Sequence, residues 1–251
     1  LTDGGRSHPC GIACAFVAWV AVGLAARPCR AESCPAPTDA PGLADVDAEA
    51  RLAFLARSFD REIRDLDLWS WTWGSIYVGA AVAQGVAISL VSDAGLHKDL
   101  AVGAVSAAIG SASLFGLPLT IILPLRTARR HWSDVPRCRL LGQAEDTLIH
   151  AEKKQRLSAG WVPHVGNLAF NAGLVAVLGW GFGRWKSAAI SAGIGTAVGE
   201  VNVLTQPHHL ADALERYRAG KLDDGTASSI RWSVAPLLAR DAGGLLLRID
   251  F

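Results

Sequence analysis

Charged side chains are unevenly spread along this chain, vanishing from long stretches and crowding into the segments between them. Trp69–Val91 and Leu100–Leu125 carry none. Trp161–Gly183 has His164 as its sole titratable group, and Ser187–Thr205 has only Glu200. A helix rising about 1.5 Å per residue needs about 20 apolar residues to cross roughly 30 Å of hydrocarbon. The first three stretches exceed that length and the fourth approaches it.

A second pattern precedes each pair of apolar stretches. Leu52, Leu55, Phe59, Ile63 and Leu66 recur at helical spacing, with Arg57, Asp60, Arg61, Arg64 and Asp65 elsewhere on the wheel. Leu141, Ala144, Leu148 and Ala151 do the same among Glu145, Asp146, Glu152, Lys153 and Lys154. The pattern predicts an all-α membrane protein. Its transmembrane helices form two tandem hairpins, an amphipathic helix stands before each pair, and a small C-terminal β-hairpin closes the chain.

The expected organisation has amphipathic helices at 44–68 and 207–220, transmembrane hairpins at 69–125 and 161–206, and a polar connection with its own amphipathic helix at 126–160. Residues 1–31 read as a signal peptide or an uncleaved anchor. The apolar run Ile12–Ala26 has the length of a signal core, and the small residues Cys29 and Ala31 precede a Pro-rich linker at 32–43. In the tail, 221–251, Ile230–Val234 and Leu247–Phe251 alternate with period two around the turn-forming Arg240–Gly244. The terminal Phe251 resembles the closing strand of outer-membrane barrels over that strand alone, and the helical segments before it contradict a barrel.

Sliding the chain by 88 residues superposes Trp73 on Trp161, Ala81 on Ala169, Gly85 on Gly173 and Leu90 on Leu178. A shortened inner loop then brings Ser106–Gly110 onto Ser191–Gly195. The chain therefore reads as a duplication. Ser191, Gly195 and Gly199, with Ser106 and Gly110, are small residues at the spacing that lets helix backbones approach in lipid.

Polar residues at membrane depth are the candidate functional set. His164, Asn167 and Asn171 share one helical face, and Glu200, Asn202 and Gln84 lie in other apolar segments. A carboxylate at mid-bilayer costs about 2.5–3.5 kcal/mol, so Glu200 needs a partner, a proton or water. The set reads first as interhelical bonding and second as a seam for a small ion.

Composition removes other classes. The formal net charge is +1, with 51% hydrophobic and 19% charged residues, which argues against nucleic acid as a partner. No nucleophile elbow, P-loop or dinucleotide fingerprint occurs, so neither catalysis nor a cofactor is expected. No metal site is expected either. His208, His209 and Asp212 offer the one suggestive spacing, without a His-Glu-x-x-His arrangement. After signal removal Cys34 and Cys138 remain, and they would be able to pair in an oxidising compartment.

Topology signals conflict. Arg126, Arg129, Arg130, Arg137, Arg139, Lys153, Lys154 and Arg156 crowd the central segment, whereas the hairpin tips hold only Lys98, Arg184 and Lys186. The positive-inside rule puts that segment in the cytoplasm, while a cleaved signal puts it on the exported side. The signal decides the expectation, which is a bacterial inner-membrane protein with its central segment exported. Its partners would be the lipid bilayer and, through the β-hairpin, a second copy or another envelope protein. The expected role is non-enzymatic, structural or assembly-related. A small channel or carrier is the alternative, and a membrane-associated metal enzyme a remote third.

Overall fold

The computed structural model describes residues 34–116, 119–130, 136–223, 231–239 and 242–250, all within the unit Glu32–Phe251. The expected signal segment lies outside the described residues. Helix α1, Ala48–Leu90, starts where the Asp47 carboxylate accepts the N–H groups of Glu49 at 2.9 Å and Ala50 at 3.0 Å. It runs for 43 residues, about 65 Å, with no boundary between the amphipathic stretch and the first apolar one. The expected division at 68/69 is a change of environment, not of backbone. Leu66–Trp71 contains neither Gly nor Pro to end a helix.

Helix α2 spans Ala94–Gly116 and α3 spans Leu119–Arg130, with residues 117–118 outside the described residues. Ile121, Ile122 and Leu125 are apolar because they join a protein core, not lipid. Pro124 sits inside α3 and cannot donate to the carbonyl of Thr120 one turn back. The ammonium of Lys154, from the next helix, takes up that carbonyl at 3.1 Å.

Helix α4 is Arg137–Ser158, and α5 is Trp161–Ala176, which ends in a wider π turn at Val177–Gly181. Gly183 then turns the chain at φ +68°, a left-handed conformation that side chains resist. Helices α6, Trp185–Leu204, and α7, His209–Arg218, complete the helical part. The expected start of α7 at Pro207 moves two residues on. Helices α1 and α2 pair closely, as do α5 and α6. Between the two hairpins the backbones come close chiefly where α2 meets the π turn.

The lower half of α1 packs with α3, α4 and α7 into a base. Its core holds Leu52, Leu55, Phe59 and Leu66 from α1, Leu141, Ala144, Leu148 and Ala151 from α4, and Leu210, Leu214 and Tyr217 from α7. Arg51 is fully buried there. It donates to the Tyr217 hydroxyl at 3.0 Å and the Cys34 carbonyl at 3.2 Å, and pairs with Glu145, which also accepts from Tyr217. A disulfide joins Cys34 to Cys138, with their Cα atoms 5.3 Å apart, so the chain entering the base is fastened to the start of α4.

Four helical stretches are long and apolar enough to cross a membrane: Ala48–Leu90, Ala94–Arg130, Trp161–Gly181 and Trp185–Arg218. Within their most apolar windows only 11%, 33%, 17% and 6% of residues are buried in the protein. Val82, Val86, Ile109, Leu168, Ile190 and Ile194 face outward, a surface that water would disfavour and lipid would not. Indole rings stand outward at both ends, Trp71 and Trp161 near the base and Trp180 and Trp185 at the tips. Trp69 and Trp73 instead turn inward.

Strands β1, Arg231–Ala239, and β2, Ala242–Asp250, pair antiparallel, with Arg231 opposite Asp250 and Ala239 opposite Ala242. Gly243 and Gly244, expected in a turn, lie within β2.

Candidate functional site

The second hairpin places three of the polar residues from α5 against α6. His164 Nδ1 lies 2.5 Å from Glu200 Oε2, and Asn167 donates to the other Glu200 oxygen at 2.8 Å and to the Thr196 carbonyl at 3.0 Å. Asn171 donates to the side-chain and backbone oxygens of Asn167, both at 2.9 Å. The result is a ladder along one helix interface, in which each amide reaches back to the member before it. Small residues make this possible. A Cβ added at Gly199 would collide with the Asn167 side chain, and one at Gly195 with Asn171. Gly193, on another face, has open space around it.

Not every candidate joins the ladder. Gln84 belongs to the first hairpin, where it lies over Gly103 and donates to the Ala80 carbonyl of its own helix at 3.2 Å. Asn202 has a buried amide nitrogen with no hydrogen-bond partner. Ser191 is exposed. Ser106 bonds back to the Gly103 carbonyl at 2.8 Å, and Gly110 lies against the Tyr77 ring.

The ladder lies near the base end of the hairpin. His164 is in the first turn of α5 and Glu200 in the last turn or so of α6, and their side chains are 35% and 30% exposed. Such a depth is about one helical turn below the level of Trp161. A different polar contact ties the tips together. Arg184 donates to both Asp99 oxygens, from Nε at 2.7 Å and from Nη2 at 2.5 Å, and the Ser187 hydroxyl donates to the same carboxylate at 2.6 Å.

His208, His209 and Asp212 each have separate surroundings. His209 turns to Asp65 at 3.5 Å, His208 bonds the Gln206 carbonyl at 3.0 Å, and Asp212 is exposed. Among the described residues no group of three or more His, Cys, Asp or Glu is arranged to hold a metal ion.

A second cluster, absent from the sequence expectations, sits in the base. Glu62 is fully buried and accepts from Gln155 Nε2 at 2.5 Å, while its Oε2 has no partner. Burial pushes its carboxyl up to about 7, against the opposing pull of His209 and the Gln155 bond. His209 rises above its ordinary value through its bond to Asp65. Asp65 falls below the usual carboxylate range, because bonds from His209 and Arg64 outweigh its burial. The signal was present in the sequence. The spacing Leu55–Phe59–Glu62–Leu66 sets a carboxylate in the apolar stripe of the helix, where the neighbouring Ile63 had been counted instead.

No family model matches this chain, nor does any curated protein or solved structure. What the fold defines is a class: a helical protein with four stretches able to span a membrane, joined to a compact base.

Proposed function

We propose that this chain is a non-enzymatic, multi-spanning envelope protein whose two hairpins anchor the base at the exported face of the bacterial inner membrane, in a structural or assembly role. The Cys34–Cys138 disulfide carries this reading, since such bonds persist in oxidising compartments. An even number of crossings returns the chain to the same side after each hairpin, so Cys34 and Cys138 share a compartment by construction. The basic central segment argues the other way. Most of its arginines are engaged in ion pairs, however, Arg126 with Asp67, Arg129 with Asp60, Arg137 with Glu49 and Arg156 with Glu152.

The order base helix, span, span, base helix occurs in both halves and supports an ancient duplication. The inner connections, 91–93 and 182–184, offer no place for the three-residue shortening that aligns Ser106 with Ser191. The likeness therefore rests on architecture more than on that alignment. In this reading the β-hairpin offers its edges to a second copy or another envelope protein. Alkaline phosphatase fused after Arg130 tests the orientation. Activity is expected, and an inactive fusion that is stably made overturns the exported base.

A carrier role for the ladder is the second reading, favoured by the partial exposure of His164 and Glu200. Glu200→Gln abolishing ion flux in liposomes is its test. The internal satisfaction of Asn167 and Asn171 favours the structural role.

A further inference from the structure

We propose that Glu62 is a proton-binding site that controls how the foot of the second hairpin is held to the base, gripping it when protonated and loosening it when ionised. The carboxylate stands where α1, α4 and the α6–α7 corner converge. From α4, Gln155 donates to Glu62 at 2.5 Å and to the Pro207 carbonyl at 3.1 Å, and accepts the N–H of Leu210 at 3.0 Å. Thr205, at the end of α6, takes the indole N–H groups of Trp73 at 3.0 Å and Trp69 at 3.4 Å, and Gln206 donates to Ser158 at 3.2 Å. The second hairpin thus enters and leaves the base through one corner, and Glu62 is its fully buried member with an unpartnered oxygen.

An ionised carboxylate with an oxygen left bare of donors is strongly disfavoured in such surroundings, and the neutral acid much less so. The charged groups facing it are few. On α1, Asp65 opposes ionisation. From α7, His209 favours it. Arg61 acts on His209, and Arg64 on Asp65. From α4 the facing side chain is the neutral Gln155, whose neighbours are engaged elsewhere, Lys154 with the Thr120 carbonyl and Arg156 with Glu152.

Direction follows from linkage. Glu62 titrates at about 7 when folded against an ordinary 4.5, so its stabilisation is complete in acid and is lost as pH climbs through neutrality. His209, also raised, contributes in the same sense. The corner is therefore tight at low pH and loose at high pH, on whichever side of the membrane the base resides.

The test is hydrogen exchange of residues 205–218 in the full chain, reconstituted in phospholipid nanodiscs, from pH 6 to 9 after correction for intrinsic rates. Protection in the wild type is expected to fall by roughly tenfold or more. Glu62→Gln keeps the shape without the titration, and should flatten the profile. His209→Gln removes the cation that favours ionisation, and should move the fall to higher pH. A wild-type profile that is flat, or one unchanged in both variants, overturns the proposal. If Glu62→Gln does not fold, the His209→Gln shift decides alone.

Discussion

Removing the disulfide tests the base and the orientation together. Cys34 and Cys138 are separated by 104 residues. For a loop of that size the chain-entropy relation gives about 4.7 kcal/mol. The closed loop contains the first hairpin, whose helices keep their backbone bonds in lipid even when the base unfolds. The flexible part is then roughly half as long, which lowers the figure by only about 0.6 kcal/mol, because the dependence is logarithmic. The double variant Cys34→Ser/Cys138→Ser should therefore lose roughly 4 kcal/mol, a large share of the 5–15 kcal/mol typical of a domain. Thermal unfolding in detergent, followed by tryptophan fluorescence, should show Tm lowered by roughly 20 °C for a cooperative unit the size of the base. The wild type in reductant should approach the same value. Equal Tm in all samples, with both thiols of the native protein open to alkylation, would refute the reasoning.

Two other substitutions probe separate parts of the account. Arg51→Leu leaves Glu145 and two carbonyls in the base without their buried cation, and should cost about 3–5 kcal/mol, measured by chemical denaturation of the base. Gly199→Leu forces the α5–α6 ladder apart at Asn167, with an expected loss of about 1–3 kcal/mol, whereas Gly193→Leu enters open space and should be near neutral. Heat stability of the two variants in one detergent is the comparison. Equal losses would mean that the ladder does not set the helix spacing.

The sequence carried much of this architecture, and its failures have physical causes. Long uncharged runs and the three-and-four spacing of Leu52, Leu55 and Phe59 or Leu141, Ala144 and Leu148 point to helices because burial, in lipid or in protein, demands the same residues. That same equivalence hides which residues of Leu100–Leu125 face the base. Ile121 and Leu125 are as apolar as a lipid-facing residue, yet they fill the base. The first amphipathic helix and its span are one continuous helix because a polarity change does not end a helix. Spacing on one helix also sufficed to group His164, Asn167 and Asn171. It could not turn His209 toward Asp65 or bring Arg184 to Asp99, since those partners are set by tertiary packing. Glu62 was legible in principle, as a carboxylate on an apolar stripe, but its partner Gln155 was not.

The central claim is that the outward apolar faces of the hairpins lie in lipid. Nitroxides placed singly at Val82, Ile109, Leu168 and Ile194 of the reconstituted protein test it through their collisions with oxygen and with a water-soluble nickel chelate. The account predicts high oxygen and low nickel accessibility at all of these positions. Nickel accessibility equal to that of a label on the exposed face of α7, at Asp212, would contradict it.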